Sequence, residues 1–209
     1  MGYLPRDTVA FMNTAHRGMF VPVVAPTGSG KDTLITYAKS VFPDIVLSVS
    51  CTTRAPREGE EHGRDYYFLS REEFETRMKK GELLEWAEYG GNYYGTPKAE
   101  IERHLAEGSL IMGDIEVQGV RQIRDLLPPS EFGTIYIDAG SWEVLARRAL
   151  ARAPMSDIEL EKRRMHYEDE SSFKSEATFI VQNPEGKLDD AKEGFIAAVA
   201  AFRAQIRGE

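Results

Sequence analysis

The stretch VVAPTGSGKDTL, residues 23–34, limits the fold more than any other part of the 209-residue chain. Val21, Val23 and Val24 form a short apolar run that predicts a buried strand. A glycine-rich turn follows. Leu34, Ile35, Ala38 and Val41 then recur at helical spacing, and Pro43 helps end that helix. Gly28, Ser29 and Gly30 let the backbone curl with its amides pointing inward. Those amides, with the helix N-terminus behind them, form a cradle for anionic phosphate. Lys31 adds a cation within reach of the β and γ phosphates. The candidate nucleotide site is therefore Ala25, Pro26, Thr27, Gly28, Ser29, Gly30, Lys31, Asp32 and Thr33.

The loop departs from G-x-x-x-x-G-K-[ST] at two positions. Ala25 replaces the first glycine, which fits if its φ is negative. Asp32 replaces the hydroxyl that usually ligates magnesium. A carboxylate is also a hard oxygen ligand for Mg²⁺, and negative charge is favoured at a helix N-terminus. Asp32 acts through the metal, or it caps the helix while Thr33 supplies a hydroxyl.

Further strand patterns lie at Ile45–Ser50, SLIMGDI, GTIYIDA and ATFIVQN. Helices are predicted over Glu72–Lys80, from Thr96 and Pro97 to near Gly108, and over Gln118–Leu127. Ser141 can cap another, and Ser156 with Glu159 has capping-box spacing. Ala191, Phe195, Val199, Phe202 and Ile206 lie near one face of a closing helix. Strands alternating with helices argue for a parallel sheet covered on both faces. From Cys51 to about Gly95, charges, glycines and tyrosines replace apolar runs, which reads as an inserted lobe.

The net charge of −8 and pI near 5.2 argue against a general nucleic-acid surface, because such binding needs many phosphate-neutralising cations. No apolar run approaches the length of a membrane span. The single cysteine, Cys51, cannot form an internal disulfide, which fits reducing, cytoplasmic surroundings. Residues 1–18 read as an extension without an assigned use. His16, His62, His104 and His166 show no metal-ligand spacing, and Trp86 and Trp142 read as packing residues.

The segment SVSCTTRAPREGEEHGRDYYF, Ser48 to Phe68, places Arg54 and Arg57 three apart, followed by Glu60, Gly63, Asp65 and Tyr66. Paired guanidiniums suit a phosphate monoester, and tyrosine can donate to the same group. LLEWAEYGGNYYGTPK follows, with Glu85, Tyr94 and Thr96. The pattern S-V-S-x-T-T-R-x-P-R-x-G-E-x-x-G-x-D-Y-x-F, then L-E-W-A-x-x-x-G-N-Y-Y-G-T, then D-I-x-x-Q-G, resembles the guanylate kinases from about Val21 to Phe202.

That resemblance implies an α/β fold of the P-loop class: three α/β/α layers on a parallel core sheet, an inserted mixed-β GMP-binding lobe and a helical lid. The implied parts are a core of 19–50, 99–142 and 165–209, a GMP lobe of 51–98 and a lid of 143–164. It implies Mg²⁺-dependent transfer from ATP to GMP, and to dGMP, by a monomer or homodimer acting on small molecules. By position, Arg54, Arg57, Tyr66 and Tyr94 would hold the GMP phosphate, and Ser50, Glu85 and Thr96 would read the base. Guanine offers two donors that one carboxylate can accept. Adenine would leave that carboxylate unpaired.

Asp114 matches an aspartate near the metal and acceptor, and Glu116 stands where a second aspartate is common. Arg148 and Arg152 match lid arginines that reach ATP, four apart on one helix face. Arg163, or Arg164 after a one-residue shift, would be the third. The lid tip departs, with RAPMS in place of an Arg-Gly-Thr sequence. Asn183 matches an asparagine near the adenine of ATP. The catalytic set is then Lys31, Arg54, Asp114, Arg148, Arg152 and Arg163, with Asp32 and Asp114 toward the metal.

The metal role of Asp32 has a direct test. Asp32→Ala is expected to raise the Mg²⁺ concentration needed for half-maximal turnover, while Asp32→Ser keeps activity at or above the starting level. A Mg²⁺ titration in which the alanine variant matches the parent removes Asp32 from the ligands.

Overall fold

The computed structural model describes residues 17–152 and 155–209. Most of the proposed N-terminal extension and Pro154 at the lid tip lie outside the described residues. The chain folds as the α/β layers its pattern predicts. Strand β1 (Met19–Val24) is buried along its whole length. It is followed by helix α1 (Lys31–Val41) and by β2 (Val46–Leu47), much shorter than the apolar run around it. Four strands, β3 (Cys51–Thr52), β4 (Tyr67–Phe68), β5 (Leu83–Tyr89) and β6 (Asn92–Pro97), enclose α2 (Arg71–Lys79) in sequence. Then come α3 (Lys98–Ala106), β7 (Leu110–Asp114), α4 (Val117–Leu126), β8 (Ile135–Asp138), α5 (Trp142–Arg152), α6 (Asp157–Ser172), β9 (Phe179–Gln182) and α7 (Leu188–Arg207). No described helix is long and apolar enough to cross a membrane.

The core sheet runs β2-β7-β1-β8-β9, with every pairing parallel. β1 therefore sits at its centre. Met19, Val21 and Val23 face a cluster with Leu34 and Ala38 of α1 and Phe195, Val199 and Phe202 of α7. Phe20 and Val24 face the opposite cluster, with Ile101 and Leu105 of α3 and Val117, Val120 and Ile123 of α4. Burial on both faces explains why β1 reads as a continuous apolar run rather than an alternating one.

The second sheet, β4-β3-β6-β5, is mixed: β3 and β4 are parallel, while β6 is antiparallel to both β3 and β5. Its β5–β6 hairpin turns at Gly90 and Gly91, with φ of 58° and 79°. Two successive positive φ angles are what a tight two-residue hairpin demands, and glycine adopts them without strain.

Two helix starts differ from expectation. Thr96 does not cap α3. It belongs to β6 and is fully buried, its hydroxyl is bonded to Glu85, and Pro97 is the N-cap without a side-chain bond. Only half of the capping box forms at α6. The Ser156 hydroxyl accepts from the Glu159 amide, while the Glu159 carboxylate turns to Arg163. The full box appears instead at α2, between Ser70 and Glu73.

Phe202 is 1% exposed, packs edge-on to Phe179 and lies so close to Gly133 that a Cβ there would sit 2.2 Å from the ring. Phe202→Ala is expected to cost about 3–5 kcal/mol, read from a urea unfolding curve. A loss below 1 kcal/mol would mean the α7 contact collapses without a cavity.

Candidate active site

A cleft of about 760 Å³ opens between the C-terminal end of β1 and the second sheet. One wall is the glycine turn from Ala25 to Thr33. Gly28 and Gly30 have φ of 85° and 88°, which excludes ordinary side chains at both. Among the described residues no non-glycine has positive φ, so Ala25 sits where alanine is unstrained. Gly30 is the N-cap of α1 and makes no side-chain capping bond. The first-turn amides are thus left for an anion, and Asp32 is exposed in the cleft rather than bonded as a cap. Thr33 is exposed beside it.

The loop is held from below. The Asn183 side-chain amide donates to the Ser29 carbonyl at 2.7 Å, and both residues are buried. The Arg148 guanidinium, which also lines the cleft, donates to the Asn183 carbonyl at 3.2 and 3.3 Å. Asn183 thus supports the phosphate loop, with its amide committed to backbone.

Lys31 extends to the end of β7 and ion-pairs with Asp114. Burial works against its charge, but Asp114, with Glu116 and Glu170 behind it, outweighs burial and holds the ammonium above its ordinary range. Glu116 and Glu170 both line the cleft. Burial raises each; Asp114 and Asp169 add repulsion at Glu116, and repulsion from Glu116 helps push Glu170 up to about 8, with Lys31 opposing both. Glu170 lies on α6 and has no signal in its charged surroundings; only the tertiary fold brings it to the cleft. Asp32 and Asp114 together put two hard carboxylates beside the loop. Among the described residues no three candidate ligands gather tightly enough to hold a metal alone. That donor set fits Mg²⁺, which takes one or two carboxylates and completes its shell with water and phosphate oxygens.

The facing wall carries Ser50, Arg57, Tyr66, Glu85 and Tyr94. The Tyr66 and Tyr94 rings meet edge-on, 6.2 Å apart. Arg54 does not line the cleft. It forks onto Glu60 at 2.9 and 3.0 Å and lies over the Tyr66 ring at 5.4 Å. Glu60 also accepts from the Arg57 amide at 2.7 Å, so one carboxylate orients the whole arginine turn. The motif contained Glu60 without revealing this part.

Glu85 is 5% exposed and accepts the Thr96 hydroxyl at 2.7 Å. Burial pushes its carboxyl up to about 7, Glu116 adds repulsion, and the Thr96 bonds oppose the rise. The Gln122 amide on α4 donates to the Trp86 carbonyl at 2.9 Å and accepts from its N–H at 3.3 Å. Gln122 thereby occupies the free edge of β5 one residue from Glu85.

Of the helical arginines, Arg148 and Arg163 line the cleft, Arg163 bonding Glu159 at 2.8 Å. The cleft takes Arg163 rather than Arg164. Arg152 closes α5, and its side chain lies outside the described residues. His166 of α6 meets Tyr89 of β5 with centroids 4.4 Å apart, joining the two sides of the cleft.

The family whose model matches the chain is described as Guanylate kinase, over residues 18–199. A guanylate kinase of Rubrobacter xylanophilus is 43% identical over 147 residues, covering 70% of this chain and 76% of its own. One from Synechococcus elongatus is 38% identical over 182 residues, covering 87% and 97%. Among solved structures, guanylate kinase from Anaplasma phagocytophilum superposes with a TM-score of 0.68 at 29% identity, covering 91% of this chain and 87% of that one.

The buried Glu85 carboxyl makes stability depend on pH. Folded, it holds its proton up to about pH 7; unfolded, it releases it near 4.5. Between those values the folded state binds more protons, so stability falls as pH rises. Glu85→Gln is expected to raise the melting temperature by several degrees at pH 8, with the gain shrinking to nothing below pH 4.5. Melting curves across that range decide it, and a gain independent of pH would exclude the buried charge as its cause.

Proposed function

The chain belongs to the guanylate kinase family and is a nucleoside monophosphate kinase, and from that premise we propose that it moves the γ-phosphoryl group of ATP onto GMP or dGMP. The observation that carries the reading is one cleft with two dissimilar walls. A phosphate loop with Lys31 faces a buried carboxylate–hydroxyl pair, Glu85 and Thr96, flanked by Arg57, Tyr66 and Tyr94.

In this reading the amides of Gly28, Gly30 and Lys31, with the Lys31 ammonium, hold the ATP phosphates, while the Ser29 amide stays bonded to the Pro26 carbonyl. Arg57, Tyr66 and Tyr94 hold the GMP phosphate, with Arg54 turning in from Glu60. Glu85 accepts the guanine N1–H and exocyclic amine while Thr96 and Ser50 fix its orientation. Binding guanine gives the buried carboxylate two donors and favours its ionised form. Asp32 and Asp114 would hold Mg²⁺, which when bound neutralises charge on the phosphate oxygens. The acceptor is a phosphate oxygen already ionised at neutral pH, so no side chain has to remove a proton. What remains is positioning and charge, supplied by Lys31, Arg148, Arg163 and, by position, Arg152.

Arg148 and Arg163 come from helices, and Arg54 and Arg57 from the loop between β3 and β4. They converge fully only when the lobes close over both nucleotides, which also excludes water that would hydrolyse ATP. The Tyr89–His166 contact across the cleft supports such closure.

ADP release measured with ATP, Mg²⁺ and each of GMP, dGMP, AMP, CMP and UMP tests the reading. GMP and dGMP are expected to turn over, with AMP poorer by roughly 10⁴-fold in kcat/KM. Lys31→Ala should lower kcat by about 10²–10³ while the protein still melts cooperatively. GMP binding without turnover by the parent protein would refute the kinase reading.

A further inference from the structure

Glu85 reaches its position over a residue that has no side chain. Gly119, in the first turn of α4, is buried beneath the carboxylate. A Cβ there would lie 2.3 Å from Glu85 Oε2 and 2.8 Å from its Cδ, closer than any real contact. The helix gains nothing from glycine, since alanine is the better helix former and the backbone of Gly119 is not among the positive-φ glycines. The remaining close neighbour is Ile115 Cγ2 at 2.9 Å. Of these atoms the carboxylate is the far end of a flexible chain and gives way first. Its other oxygen accepts the Thr96 hydroxyl, so a displaced carboxylate also strains that bond.

We propose that Gly119 is a positioning residue for base choice: the missing side chain lets α4 seat the Glu85 carboxylate at the guanine edge. The inference rests on the reading of Glu85 as the acceptor of guanine's two donors. The same helix fixes the backbone beside Glu85 through Gln122 and begins just beyond Asp114 at the end of β7. One helix thus refers the base-reading group to the strand that carries the Lys31 partner. Gly119→Ala displaces the carboxylate and leaves the phosphate loop, which follows β1 and does not touch Gly119, in place.

The test is steady-state kinetics of the parent and Gly119→Ala with GMP, with IMP, which lacks the exocyclic amine, and with ATP varied. The expected result is a rise of roughly tenfold to a hundredfold in the KM for GMP. The preference for GMP over IMP should narrow by a similar factor, with the KM for ATP within about twofold. In a Glu85→Ala background, where the conflict with the carboxylate is gone, Gly119→Ala should add no further rise in the GMP KM, as a double-mutant cycle requires of two residues acting through one contact. That pair of variants also decides the matter if Gly119→Ala alone does not fold. An unchanged GMP KM and GMP-to-IMP preference in Gly119→Ala would overturn the inference while leaving the kinase reading intact. So would an equal rise in the Glu85→Ala background, or a parallel rise in the KM for ATP. No turnover of GMP by the parent would overturn the function, and this inference with it.

Discussion

The cleft depends on a single strand being dry on both faces. β1 lies at the centre of the parallel sheet, packed by α1 and α7 on one side and α3 and α4 on the other. A strand so enclosed is rigid, and its end is a fixed origin. The loop that leaves it bends through two left-handed glycines and enters α1 without a side-chain cap, so the first-turn amides have no side chain competing for them. Asn183 fixes the loop from the end of β9, and Asp114 at the end of β7 holds Lys31. β7, beside β1, and β9, one strand further out beyond β8, thus each supply one restraint on the same small volume, at the carboxyl ends of the strands where open α/β sheets bind ligands.

Charge is arranged around that volume in two ways. Arg54, Arg163 and Arg148 each already have a partner, Glu60, Glu159 and the Asn183 carbonyl. Their side chains are therefore ordered before any phosphate arrives, and an anion competes for a guanidinium that has lost much of its rotamer freedom. The acidic groups behave in the opposite manner. Glu85, Glu116 and Glu170 are crowded into a partly dry cleft, where burial and repulsion favour their neutral forms. Lys31 draws Glu116 and Glu170 toward ionisation, and the Thr96 bonds do so for Glu85.

Local sequence made several parts legible. The phosphate loop announced itself because its chemistry is local: a strand, two glycines, a lysine and a helix, all within about a dozen residues. The arginine–tyrosine segment and the Glu85–Thr96 segment were legible as motifs for the same reason. Thr96 was misread as a helix cap because Thr-Pro before a helical pattern is a sound local signal, and the contact that overrode it comes from Glu85 across a hairpin. Asp32 stayed ambiguous in sequence, and the structure leaves its carboxylate in the cleft without a capping bond.

What the sequence determined by itself was the class of fold and the chemistry of each wall, because hydrophobic period and turn residues act over a few positions of chain. Tertiary structure decided which groups meet. It set Asn183 under the loop, Glu60 against Arg54, Glu170 in the cleft and Gly119 beneath Glu85. Three of those relations join residues that are distant in the chain or packed through a third element, and Glu60 meets Arg54 only because the loop between β3 and β4 folds back on itself. No local propensity encodes them. They arise from close packing, which fixes where a strand end, a helix face and a missing methyl group come together.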